Sequence, residues 1–142
     1  MRPSLDKTYM EVARIFAKRS TCPRRQVGCV IVGHGYILSA GYNGQYAGAP
    51  HCVDHHCPGA GLASGTGLDL CLAAHAEQNA IARLRNPFEA DTLYCTTCPC
   101  ISCTKLVLCT GIKRIVAADS HPQSGKELWI SAGREWVDYA EE

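Results

Sequence analysis

The chain has 142 residues, a net charge of +1, 46% hydrophobic and 19% charged residues; this suits a single soluble globular domain spanning residues 1–142 and excludes fibrous and disordered classes. No basic run offers a surface for a polyanion, so nucleic acid is not expected as a partner. No apolar stretch is long enough to cross a bilayer and the start carries no export signal, so no membrane partner and a cytoplasmic location are expected. In a reducing compartment the ten cysteines and six histidines point to metal rather than disulfides.

Ser4 caps a predicted first helix whose apolar face is Leu5, Tyr9, Val12 and Phe16, with Lys18 and Arg19 at its end. Two β-rich runs follow, Val27 to Val32 and Tyr36 to Tyr42, split by Gly33-His34-Gly35 as a hairpin. From Gly44 to Leu70 no period is sustained, and Cys52, His55, His56 and Cys57 crowd together. A helix is predicted over Ala73 to Leu84, a strand over Thr92 to Thr97, a helix opening at Pro99 and a strand over Arg114 to Ala118. The last segment reads as a helix from Ser124 to Ala132 and an edge strand from Glu135 to Tyr139. This alternation implies an α/β fold, a three-layer α/β/α sandwich around a central mixed five-stranded sheet.

The chemistry concentrates in His75-Ala76-Glu77 and in Pro99-Cys100-Ile101-Ser102-Cys103. Together His75, Cys100 and Cys103 make three zinc ligands and leave the fourth tetrahedral position open, as a catalytic site requires. Cys100 and Cys103 stand three apart, so their sulfurs share one face of a first helical turn, where the dipole favours thiolates. His75 and Glu77 are two apart and can converge on one ion only from a first turn. Two thiolates weaken zinc as a Lewis acid, so water activation needs a base, and Glu77 is the candidate for base and proton carrier. A structural site would close with a fourth ligand, for which Cys98 of Cys95-Thr96-Thr97-Cys98 is the candidate; Cys95 reads as a buried thiol of the sheet.

The H-x-E and P-C-x-x-C pattern resembles the zinc deaminase signature. Beyond it, Ser20-Thr21-Cys22, Val27-Gly28, Gly41-Tyr42-Asn43-Gly44, His51-Cys52, Cys57, Gln78-Asn79-Ala80-Ile81, Thr92-Leu93-Tyr94 and Gly111-Ile112-Lys113 make the chain similar to the deoxycytidylate deaminase family. The resemblance implies the cytidine deaminase fold and hydrolysis of dCMP to dUMP and ammonia. It places Asn43 at the sugar 3′-hydroxyl and Ala76 among the substrate contacts. It also implies a homo-oligomer, often a hexamer, and dCTP and dTTP as effectors, with magnesium accompanying a triphosphate. The loop departs from the family at Gln45-Tyr46-Ala47.

Members with matching cysteines or histidines bind a second, structural zinc, and Cys22, Cys52, Cys57 and Cys71 remain to hold it here. Its role would be to order the irregular segment, whose few apolar residues cannot offset the entropy of ordering; His51, His55 or His56 could replace one cysteine. Arg24 and Arg25 are candidates for the substrate phosphate, against a plainer reading as a solvated basic pair. His121 could stack on the base or touch phosphate, or be a surface histidine in a turn. The rival activities are deamination of dCTP, of a free nucleoside or of adenosine in transfer RNA. A zinc-ribbon interaction module would leave Glu77 and a full α/β core unexplained.

Overall fold

The computed structural model describes residues 1–22, 24–45, 48–49, 72–120 and 123–141. The described elements are α1 (Leu5–Ala17), β1 (Gly28–Gly33), β2 (Tyr36–Tyr42), α2 (Ala76–Ala82), β3 (Thr92–Thr97), α3 (Ile101–Leu108), β4 (Arg114–Asp119), α4 (Lys126–Ser131) and β5 (Glu135–Asp138). The five strands form one mixed sheet in the order β2-β1-β3-β4-β5. β1 runs antiparallel to β2 and β3, while β3, β4 and β5 are parallel. Alternation along the strands divides the core. Val30, Val32, Tyr94 and Val116 face α1 through Met10 and Ala13. Cys29, Ile31, Leu93, Ile115 and Ala117 face the other way and pack with Ala76 and Ala80 of α2, Val107 of α3 and Trp129 of α4. The three layers expected from the alternation of elements are therefore present.

The hairpin turns through His34 (φ 54°) and Gly35 (φ 78°), the pair of left-handed residues that a two-residue turn needs to match strand twist. Helix α1 starts where expected, with the Ser4 hydroxyl accepting from Lys7 N at 3.1 Å. Tyr9 and Val12 of the predicted face pack on the core, but the most deeply buried residues are Met10, Ala13 and Ala17, while Leu5 is exposed and Phe16 only half-buried. The cause lies in β1: a side-chain atom on Gly28 would overlap the Ala13 carbonyl, so the helix meets the sheet through its small residues. Arg114 of β4 fastens its first turn, donating to both oxygens of Asp6 at 2.9 and 2.6 Å, and Tyr94 donates to the same carboxylate at 2.7 Å.

Three helices begin later than the pattern predicts, each because a backbone bond claims the residues before it. Ala74 exchanges both hydrogen bonds with Gly44, so α2 opens at Ala76 rather than Ala73. Cys100 and Ser124 form an isolated bridge, and Gly125 N donates to the Pro99 carbonyl at 2.9 Å. Hence α3 opens at Ile101 instead of Pro99, and α4 at Lys126 instead of Ser124. These bridges set the two helix starts that carry the candidate metal ligands. Among the described residues no helix is long and apolar enough to cross a membrane.

Candidate functional site

His75 is the N-cap of α2, with extended backbone (φ −71°, ψ 158°), and Glu77 is the second residue of the helix. The geometric condition set by their spacing is thereby met: the imidazole leaves from outside the helix and the carboxylate from its first turn. Cys100 is likewise the N-cap of α3 (φ −72°, ψ 171°), and Cys103 is its third residue, whose N–H points at Cys100 Sγ from 3.4 Å. Two neighbouring helices thus aim their N-terminal ends, with their positive dipoles, at one point.

His75 Nδ1 lies 3.1 Å from Cys103 Sγ and 3.6 Å from Cys100 Sγ. Tetrahedral zinc with ordinary Zn–N and Zn–S bonds separates such atoms by about 3.5 Å, so the three donors fit the ion. Among the described residues they are the one group of three or more potential ligands this close together. Cys98 is buried nearby but stands outside the group, and Cys95 lies in β3 opposite Cys29 of β1, where burial pushes both thiols up.

Without a cation the two thiols of the site share one negative charge. The hydrogen bond from Cys103 holds Cys100 down at about 3, with His75 and the Cys103 N–H helping; Cys103, the donor of that bond, is pushed up. His75 is raised by its bond to the Cys100 thiolate, against the cost of burial. This electron-rich, preorganised set is what a divalent ion completes. Glu77 is 4% exposed, and burial raises its carboxyl above the usual range, opposed by its own backbone N–H and the nearby imidazole.

The donors open onto a pocket whose walls include Arg25, Asn43, Ala76, Glu77 and Thr97. Asn43 is buried, and its amide ties down the segment before β1: Oδ1 accepts from Val27 N at 2.9 Å and Nδ2 donates to the Arg25 carbonyl at 3.1 Å. Nη1 of Arg25 is buried with no hydrogen-bond partner among the described residues. Ala76 is fully buried at the helix start. The structure therefore brings His75, Ala76, Glu77, Cys100, Cys103, Asn43 and Arg25 to one place. Cys22 is buried in the wall of the same pocket. Cys52, Cys57, Cys71 and His121 lie outside the described residues.

One participant escaped the sequence reading. Gln78 sends Oε1 back to accept from His75 N at 2.8 Å, the reciprocal arm of a capping box. A glutamine three residues after a cap is the recognisable signal, but it is masked when the cap is a histidine rather than serine or threonine.

The family described as the cytidine and deoxycytidylate deaminase zinc-binding region matches residues 3–119. A deoxycytidylate deaminase of Schizosaccharomyces pombe is 42% identical over 124 residues, covering 84% of this chain and 38% of its own length. One from Saccharomyces cerevisiae is 39% identical over 123 residues, covering 85% of the chain and 39% of its own length, so the chain spans about two fifths of these relatives. A deoxycytidylate deaminase of Mycobacterium phage D29 is 37% identical over 123 residues, covering 81% of the chain and 94% of the phage protein. Among solved structures, the dCMP deaminase of cyanophage S-TIM5 in complex with dCMP and dUMP superposes with a TM-score of 0.78 at 26% identity, covering 98% of this chain and 99% of that one.

Proposed function

The chain belongs to the cytidine and deoxycytidylate deaminase family, and we propose that it hydrolyses dCMP to dUMP and ammonia, supplying dUMP for thymidylate synthesis. The observation that carries the reading is the cluster of His75, Cys100 and Cys103 at a pocket that His75, Cys100 and Glu77 line together. Zinc bound by those three residues would supply a nucleophile at neutral pH by lowering the pKa of water.

Glu77 takes a proton from the attacking water and passes it to N3 of the cytosine as the C4–O bond forms, then carries the proton of the new C4 hydroxyl to the amino group, which departs as ammonia as C4=O forms. Water adds, ammonia leaves, and the carboxyl returns to its starting state. One group can both accept and donate because the carboxylate gains a proton in one step and gives it up in the next. Ala76 and Asn43 line the same pocket, and in this reading Ala76 contacts the substrate and Asn43 its sugar 3′-hydroxyl. Arg25 supports the phosphate reading, since its buried Nη1 has no hydrogen-bond partner among the described residues; Arg24 lines the same pocket.

Three finer assignments belong to the same reading. Cys22, Cys52, Cys57 and Cys71 hold a second, structural zinc. A separate pocket lined by Arg19, Thr21, Asn79 and Arg83 suits a triphosphate effector, dCTP or dTTP with magnesium. The enzyme works as a homo-oligomer, a hexamer by family precedent.

The test is ammonia release from dCMP, dCTP, deoxycytidine and a transfer RNA measured side by side. dCMP should be turned over far better than the others, because binding energy from the remote phosphate helps hold the base against the nucleophile. Efficient deamination of deoxycytidine with no gain from phosphate would replace this reading with a nucleoside deaminase.

A further inference from the structure

The metal donors come from two helix starts, His75 and Cys100 both being N-caps, and the two caps differ in the side chain that braces them. On the α3 side the Cys100 carbonyl accepts from both the N–H and the hydroxyl of Thr104, at 2.9 and 2.8 Å, and Cys100 is bridged to Ser124. On the α2 side His75, likewise a cap residue, is braced by Gln78. Its carbonyl accepts from Asn79 N at 3.0 Å, and its N–H is taken by the Gln78 side chain at 2.8 Å. The backbone at His75 determines where the imidazole points, because the ring hangs from it by only two side-chain torsions. A small rotation there would move Nδ1 away from sulfurs that lie 3.1 and 3.6 Å from it.

We propose that Gln78 is a positioning residue of the metal site, fixing the His75 backbone so that its imidazole completes the donor set with Cys100 and Cys103. The inference rests on reading those three residues as the zinc site. Partners one step behind the ligands orient them, and losing one typically weakens metal affinity about 10- to 100-fold. An ordinary cap would act only on helix stability, and this is the difference to be measured.

The experiment uses the full chain with cobalt(II) as probe, reading affinity by competition with a chelator and ligand geometry from the visible absorption bands. Gln78→Met keeps length and helix propensity while removing the acceptor, and Gln78→Glu keeps the acceptor. Gln78→Met is expected to bind cobalt about 10- to 100-fold more weakly with shifted bands, and Gln78→Glu to remain within about threefold of wild type. Ser4→Ala, which removes the α1 cap bond, is the control: it should lower the melting temperature and leave cobalt binding alone. If Gln78→Met does not fold, Gln78→Asn, whose shorter side chain cannot reach His75 N, is read by the same criteria. A Gln78→Met with wild-type affinity and bands, or a Gln78→Glu as weak as Gln78→Met, overturns the role. A wild type that takes up no cobalt overturns the site reading and the proposal with it.

Discussion

Replacing Glu77 by glutamine removes an acid–base group and little else. The side chain is 4% exposed and glutamine fills the same volume, so no cavity opens and the three metal donors keep their places. General acid–base catalysis by one group contributes about 10²- to 10⁴-fold, and the proposed mechanism gives Glu77 successive transfers. Turnover of dCMP is therefore expected to fall at least about 10³-fold, roughly 4 kcal/mol of barrier. Stability should move the other way. Burial holds the carboxyl of the metal-free protein above its ordinary value of 4.5; between the unfolded and folded pKa the native state binds more protons, so stability falls as pH rises through that window. Glutamine cannot ionise, and Glu77→Gln should be at least as stable as wild type at neutral pH, with a flatter pH profile. Ammonia release, zinc content by elemental analysis and metal-free melting at pH values on either side of the window test this together. Turnover within tenfold of wild type, or loss of zinc alongside activity, would refute the reasoning.

Asn43→Ala removes one buried and one part-buried hydrogen bond as well as the proposed sugar contact, so it should cost about 2 kcal/mol of stability and roughly 10- to 100-fold in kcat/KM; a variant that loses stability alone would confine Asn43 to a structural role. Asp6→Asn should cost about 1–2 kcal/mol at neutral pH, because it breaks a partly buried, two-pronged ion pair. Arg114 first, and Tyr94 after it, hold the Asp6 carboxyl below its ordinary 3.8 against the cost of burial. Its stabilisation is therefore full above about pH 4 and is lost as pH falls through the folded value, so denaturation curves of wild type and Asp6→Asn should converge in acid. Elemental analysis should find two zinc ions per chain, with one lost selectively in Cys57→Ser; a single zinc in the wild type would remove the structural site.

Local chemistry wrote much of this protein into its sequence. The strands from Tyr36 to Tyr42 and from Thr92 to Thr97 match the predicted bounds, because β-rich runs between turn residues carry their own limits. The histidine, glutamate and two cysteines stand out as candidates because a catalytic metal site demands few residue types at restricted spacings. What stayed hidden depends on residues distant in the chain. The face of α1 that turns inward was decided by Gly28, whose missing side chain lets Ala13 and Ala17 approach β1, and no periodicity within the helix reports that. The starts of α2 and α3 were set by bridges to Gly44 and Ser124, and these starts make His75 and Cys100 cap residues aimed at a common point. At Gly41 an added Cβ would stand 2.7 Å from both the Ala76 carbonyl and Ala80 N, so β2 lies close against the helix carrying His75 and Glu77. Ligand types are a property of the residues, whereas ligand convergence is a property of the contacts between elements; only the tertiary structure decides the second.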